Sequence, residues 1–81
     1  MRVRVLAFAT ASSALGGSSR TEELPEGATV ADLTRALVAA APALATLLPR
    51  LAIAVDGDLA KPDRTLADGC EVALLPPVSG G

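Results

Sequence analysis

The amino-acid sequence predicts an α+β fold in which a mixed β-sheet packs on one main helix. Short segments near both ends and in the middle of the chain alternate between two faces, as half-buried strands do. One segment after Thr29 instead has apolar residues at helical spacing. The chain has 81 residues, 51% of them hydrophobic. This length allows one domain, and the composition is too apolar for a disordered chain.

The first strand is predicted over residues 1–10. Its core face carries Val3, Val5, Ala7 and Ala9, and its opposite face carries Arg2, Arg4, Leu6 and Phe8. Residues 11–19 are small or polar and include the pair Gly16-Gly17, which predicts a turn with room for one helical turn before the glycines. Residues 20–24 then return as a second strand, which Pro25 ends.

The main helix is predicted to begin after Thr29, whose hydroxyl can cap it. Asp32, three residues later, completes an approximate capping box. The apolar stripe of this helix consists of Val30, Leu33, Leu37, Val38 and Ala41, and Pro42 ends it. Between Pro42 and Pro49, three leucines predict a short irregular or helical turn over one edge of the core.

Two tight turns punctuate the remaining strands. Residues 51–55 form a strand with one face of large residues, and Asp56-Gly57 predicts a hairpin turn leading to a short strand at Leu59-Ala60. A loop over residues 61–64 and a second turn at Asp68-Gly69 precede the last strand, residues 70–75. This order of elements is a β-grasp plan. We expect residues 1–75 to form the domain and residues 76–81 to form a flexible tail.

Composition excludes several classes of function. The chain has no histidine and one cysteine, which rules out catalytic triads, Cys/His dyads and multi-thiolate metal sites. The net charge of −2 has the wrong sign for a nucleic-acid partner. The apolar run over residues 36–48 contains Pro42 and falls short of the about 20 residues that a membrane-spanning helix needs. We therefore expect no nucleic-acid or membrane partner, no cofactor bound by this chain, and a cytoplasmic location, where the unpaired Cys70 stays reduced.

The six residues after the last strand carry the chemistry: Pro76-Pro77-Val78-Ser79-Gly80-Gly81. The prolines predict a stiff, extended exit from the sheet, and the glycines could thread a channel too narrow for any side chain. A terminal carboxylate is a poor electrophile, but an ATP-using partner could convert it to an acyl adenylate. Displacement of AMP by a sulfur nucleophile would give a thiocarboxylate. The tail therefore indicates a carrier of activated sulfur. The alternative interpretation is that the Gly-Gly ending arose by chance and has no function.

The ending from Asp68 to Gly81 resembles that of the molybdopterin synthase small-subunit family, the MoaD-type ubiquitin-like sulfur carriers. Residues 3–9, the helix start at Thr29 with Leu33, and residues 54–57 also lie where that family has corresponding elements. The Pro-Pro-Val-Ser-Gly-Gly ending is the specific part. The resemblance implies that a ubiquitin-activating-type enzyme adenylates Gly81, using ATP, and that the adenylate becomes a thiocarboxylate.

The resemblance also implies the partners. The tail with Gly80 and Gly81 would enter a large catalytic subunit and donate sulfur to cyclic pyranopterin monophosphate in molybdenum cofactor biosynthesis. Two small subunits, non-catalytic on their own, and two large subunits would form a heterotetramer. The partner-binding residues implied are Phe8, Leu59, Leu75, Pro76, Pro77, Val78 and Ser79. Two features depart from the family: Ser12 and Ser13 stand where many members carry charged residues, and Cys70 replaces a usual acidic residue.

Other interpretations of the same residues stay open. A sulfur carrier for thiamine thiazole or another pathway is one, although the diproline speaks against it. A ubiquitin-like modifier joined to lysines through Gly81 is another. Four aspartates could indicate a cation site, yet all four fall at turns, where aspartate is favoured because its side chain bonds the backbone. We interpret them as solvated turn residues: Asp56, Asp58, Asp63 and Asp68.

Overall fold

A computed structural model describes residues 1–76 and shows a mixed sheet with helices on one side. In chain order the strands are β1 (Arg2–Ala7), β2 (Ser19–Glu23), β3 (Ala52–Val55), β4 (Asp58–Leu59) and β5 (Glu71–Leu75). The helices are α1 (Thr10–Leu15), α2 (Val30–Ala40) and α3 (Leu44–Leu47), and a 3₁₀ turn over Leu48–Arg50 follows α3.

The five strands lie in the order β2-β1-β5-β3-β4. β1 pairs antiparallel with β2 and parallel with β5, so the first and last strands are neighbours in the middle of the sheet. β5 also pairs antiparallel with β3, which forms a hairpin with β4. The sheet is mixed, and α2 lies in the crossover between β2 and β3. The structure therefore confirms the predicted β-grasp fold.

The core lies between the sheet and α2. β1 contributes the buried face predicted for it, and Val72 and Leu74 of β5 lie beside that face with no exposed surface. Leu33 and Leu37 of α2 are also fully buried. Burial of each leucine side chain contributes about 1.5–3 kcal/mol relative to an exposed one. Within residues 1–76 no polar or charged side chain is buried, so the side-chain packing of this core is stabilised by the hydrophobic effect.

A capping box fixes the start of α2. The Thr29 side chain accepts a hydrogen bond from the Asp32 amide at 3.3 Å, and the Thr29 amide donates to the Asp32 carboxylate at 2.9 Å. The backbone bond from Thr29 is the main cause that lowers the pKa of Asp32, and its hydroxyl and the Arg35 guanidinium act in the same direction. A carboxyl with a lowered folded pKa stabilises the fold above its unfolded pKa and loses that contribution as the pH falls. The box is therefore intact at neutral pH.

The first strand is shorter than predicted. β1 ends at Ala7, and Ala9, predicted to lie on the core face, is exposed. The cause is the backbone of Ala9, whose φ of 52° is incompatible with a continuing strand and turns the chain into α1. Gly16 ends α1 with a φ of 87°, which glycine adopts without a steric penalty. The turn expected over residues 11–19 therefore contains a full short helix.

The second half of the chain follows the prediction with small shifts. The segment between Pro42 and Pro49 forms α3 and the start of the 3₁₀ turn, and the short strand predicted at Leu59-Ala60 is Asp58–Leu59. Cys70 is 4% exposed and immediately precedes β5, so the last strand begins one residue later than predicted. Within residues 1–76, no helix has both the length and the apolar character needed to cross a bilayer.

We expect Thr29→Ala to destabilise the fold by about 1 kcal/mol, because the first turn of α2 loses the hydroxyl that accepts from the Asp32 amide. Urea unfolding followed by circular dichroism would measure the change. Thr46→Ala is the matched control, since Thr46 is exposed and its hydroxyl bonds only the Ala43 carbonyl one turn back. Equal losses in the two variants would contradict the role assigned to the box.

Candidate functional site

The face of the sheet away from α2 has an apolar surface built by strand register. Direct cross-strand partners share a face of the sheet. Leu6 of β1 pairs with Ala73 of β5, Ala73 pairs with Ala54 of β3, and Ala54 pairs with Leu59 of β4. These four residues form a row across four strands. Ala54 has only 7% exposure yet lies outside the core cluster, as expected for a small residue on the outer face between neighbouring strands.

A second row lies beside the first. Leu75 of β5 pairs with Ala52 of β3, and Phe8 follows β1 directly, in phase with Leu6. We call the two rows together the outer patch. It consists of Leu6, Phe8, Ala52, Ala54, Leu59, Ala73 and Leu75.

The outer patch contains the three body residues predicted to bind a partner. Phe8 is 47% exposed and Leu59 is 75% exposed, and among residues 1–76 they are the only large apolar side chains in the exposed class. Leu75 is half-buried on the same face. Exposure of large apolar groups on a single face is typical of a protein contact surface. Sequence alternation alone does not reveal this proximity, because Phe8, Leu59 and Leu75 come from three separate segments.

Charged and apolar residues lie at opposite ends of this face. Arg4 lies beside Glu71 in the strand register where β1 and β5 begin. At the same end, Arg2 and Glu23 form an exposed ion pair with a nitrogen–oxygen distance of 3.0 Å. The outer patch lies at the other end, where β5 leads through Leu75 into Pro76. The chain therefore leaves the sheet beside the apolar surface and away from the charged one.

Of the residues predicted to form the tail, the structure describes Pro76. Pro76 is half-buried directly after β5. Pro77, Val78, Ser79, Gly80 and Gly81 lie outside the described residues, and their predicted roles stay predictions.

Leu59 is held at the sheet edge by the β3–β4 turn. Asp56 and Gly57 both have positive φ, 48° and 88°, the conformation of a type I′ hairpin turn. Asp56 adopts this conformation while its carboxylate accepts a 2.9 Å hydrogen bond from the Glu71 amide of the neighbouring strand. The Asp68 carboxylate accepts similarly from the Arg2 amide at 2.8 Å. Both aspartates therefore bond the backbone, which agrees with their interpretation as turn residues.

Four members of the outer patch are not among the residues that the sequence predicts to bind a partner. Leu6, Ala52, Ala54 and Ala73 connect Phe8, Leu59 and Leu75 into one continuous surface. Three of them are alanines, whose small side chains give no sequence signal of a contact surface. The alternation of β1 did place Leu6 beside Phe8, so that residue was within reach of sequence reasoning.

Known proteins are similar to this chain in sequence and in fold. Residues 5–81 match the ThiS family over nearly the whole chain, including the tail.

The chain belongs to the ThiS family. A family member from Chlamydomonas reinhardtii, a molybdopterin synthase sulfur carrier subunit, is 37% identical over 83 residues, with both chains covered completely. This relative confirms the resemblance that the sequence predicted.

Solved structures share the fold of this ThiS-family chain. SAMP1 from Haloferax volcanii, a small archaeal modifier protein, matches with a TM-score of 0.89 and 30% identity over all of both chains. Subunit 1 in the complex of subunits 1 and 2 of molybdopterin-converting factor from Helicobacter pylori matches with a TM-score of 0.73 and 28% identity, again over all of both chains. The ThiS family fold therefore occurs both in a named modifier and in a two-subunit complex.

We expect Gly57→Ala to destabilise the fold by roughly 1–2 kcal/mol, because a side chain at a φ of 88° meets its own backbone although the surrounding space is open. Gly17→Ala is the matched control, since Gly17 lacks a positive φ and the nearest atom to an added Cβ is 3.9 Å away. Thermal unfolding of both variants would measure the difference. A Gly57→Ala protein as stable as the control would contradict the turn geometry that holds Leu59.

Proposed function

We propose that this ThiS-family chain is the sulfur carrier subunit of a molybdopterin synthase. The main support is full-length similarity to a sulfur carrier subunit of that enzyme, including the tail. A second support is the outer patch at the point where the chain leaves the sheet. A carrier needs both features, since it must bind an enzyme through its body and deliver its end into that enzyme's site.

The proposed reaction takes place at the Gly81 carboxylate. A carboxylate oxygen attacks the α-phosphorus of ATP, which forms an acyl adenylate and releases pyrophosphate. A sulfide equivalent then attacks the carbonyl carbon and displaces AMP, leaving a thiocarboxylate at Gly81. An adenylating enzyme of the ubiquitin-activating type supplies the ATP site, and this chain supplies only the substrate end.

Gly80 and Gly81 suit this role because neither has a side chain that would block a narrow site. The sulfur of the thiocarboxylate is a better nucleophile than the oxygen it replaces. In the proposed complex, a large catalytic subunit binds cyclic pyranopterin monophosphate, and the thiocarboxylate transfers its sulfur there. Two small and two large subunits form the proposed heterotetramer, and Pro77, Val78 and Ser79 of the tail bind the large subunit.

The outer patch supplies the binding energy of the proposed complex. Leu59 is 75% exposed and Phe8 is 47% exposed, so both lose much of their contact with water when a partner covers them. Full burial of such a side chain contributes about 1.5–3 kcal/mol. Charged residues lie at the far end of the face, so a partner with an apolar centre and polar rim fits this surface. Leu75 and Pro76 would link the patch to the tail.

We expect the intact chain, incubated with ATP, its adenylating enzyme and a sulfide source, to gain the mass difference between sulfur and oxygen. Tandem mass spectrometry of the C-terminal peptide should locate this gain at Gly81. A chain without Gly81 is expected to show no gain while retaining its circular dichroism spectrum, because the tail lies beyond β5. Sulfur transfer supported by the shortened chain would overturn the proposed mechanism.

We expect Leu59→Asp to weaken binding to the large subunit by at least about tenfold, since a buried unpaired charge would replace an apolar contact. The fold should be unaffected, because Leu59 is largely exposed. Ala45→Asp is the matched control: it adds the same charge at an exposed site on α3, which does not belong to the outer patch. Isothermal titration calorimetry would measure both. Equal affinities for the two variants would exclude the outer patch as the binding surface.

A second candidate function is a ubiquitin-like modifier joined to protein lysines through Gly81. The observation in its favour is the similarity to SAMP1, a small archaeal modifier protein. The two functions share the activated terminus and differ in the nucleophile that finally attacks it. Isopeptide-linked adducts in extracts of cells expressing a tagged chain would support the modifier function, and their absence alongside a detectable thiocarboxylate would support the carrier.

A further inference from the structure

β2 is an edge strand with an open side. It pairs only with β1, and within residues 1–76 no other strand lies beyond it. We propose that a second copy of this chain pairs antiparallel with β2, around a two-fold axis through Thr21, and joins two sheets into one. This inference is independent of the proposed function, because β2 contributes no residue to the outer patch.

The backbone of β2 presents alternate residues to the open side. The amide of Leu24 donates to the Met1 carbonyl at 2.8 Å, and the Ala7 amide donates to the Ser18 carbonyl at 2.9 Å. Even-numbered residues of the strand therefore direct their amide and carbonyl groups toward β1. Those of the odd-numbered residues, Ser19, Thr21 and Glu23, point away from β1, and all three residues are exposed. An antiparallel copy can form hydrogen bonds only where odd-numbered residues meet odd-numbered residues.

Three registers near the centre of β2 meet this condition, with the two-fold axis through Arg20, Thr21 or Glu22. With the axis through Thr21, Thr21 faces itself and Ser19 faces Glu23 of the copy, so all the outward groups of the strand find partners. With the axis through Arg20 or Glu22, the outermost residue of each strand has no partner within β2. The register through Thr21 therefore forms the most backbone hydrogen bonds.

The charges select the same register. Arg20 and Glu22 lie on the helix side of the sheet, opposite Val5 and Val3, and form an ion pair within the chain. With the axis through Thr21, each Arg20 faces Glu22 of the copy. With the axis through Arg20 or through Glu22, identical charges face each other, which is destabilising. Charged edge strands commonly prevent pairing, but here the charges are self-complementary in the one register that the backbone favours.

The pairing leaves the other surfaces free. β2 lies at one edge of the sheet and Leu59 of β4 lies at the other, so two copies would present two separate outer patches. The contact is small because β2 has five residues. We expect a dissociation constant on the order of 0.1–1 mM, since we expect so short a contact to bury less than the about 1,200 Å² of a standard interface.

The test is a charge-swap experiment followed by sedimentation equilibrium of the full chain. Arg20→Glu and Glu22→Arg each place like charges opposite one another in the self-pairing, and each alone is expected to weaken self-association at least about tenfold. Mixed in equal amounts, the two variants restore opposite charges at both positions. The mixture is expected to associate within about threefold of the unsubstituted chain. A mixture that associates no better than the single variants would overturn the proposal.

Two further variants separate this edge from other surfaces. Thr21→Pro removes an amide that points away from β1, so the fold should survive and self-association should be lost. Arg50→Glu, at an exposed site outside the sheet, matches the charge change of Arg20→Glu and should leave association unchanged. Concentration-dependent amide shifts should be confined to the residues around Thr21. Association that survives Thr21→Pro but is lost in Leu59→Asp would assign the contact to the outer patch and overturn the proposal.

Discussion

The parallel pairing of β1 with β5 is the interaction on which the rest of the structure depends. It joins segments about seventy residues apart in the chain and places them at the centre of the sheet, with β2 on one side and β3 on the other. Val5 lies beside Val72 and Ala7 beside Leu74, and all four are buried against the helices. The same pairing places Leu6 beside Ala73 on the opposite face. One set of backbone bonds therefore fixes both the core and the outer patch.

The two faces of this sheet have different physical tasks. On the helix side, the core is apolar, and within residues 1–76 no polar or charged side chain is buried there. On the other side, apolar residues lie at the end where β5 leaves the sheet, and the Arg2–Glu23 ion pair lies at the end where β1 begins. Because β5 contributes residues to both faces, the strand that completes the core also determines where Pro76 lies relative to the outer patch.

Sequence reasoning predicted the parts of this fold that depend on local chemistry. The capping box at Thr29, the Asp56-Gly57 turn and the alternation of β1 and β5 each have a short-range cause, and all are present. The sequence predicts α1 only as room for a helical turn, because an alanine gives no sequence signal of the positive φ that Ala9 adopts before α1. The outer patch was predicted in part: Phe8, Leu59 and Leu75 came from family resemblance, whereas the alanines between them depend on strand register across four separate segments.

The position of Cys70 has a chemical consequence. The chain has a single cysteine, and in the structure this residue is 4% exposed and belongs to the core cluster. The surface of the folded body therefore offers no competing thiol to an alkylating reagent or to an oxidant. Sulfur loaded onto this protein as a thiocarboxylate would therefore compete with no exposed cysteine thiol of the folded body, so a thiol-directed reagent could trap it without prior substitution of Cys70.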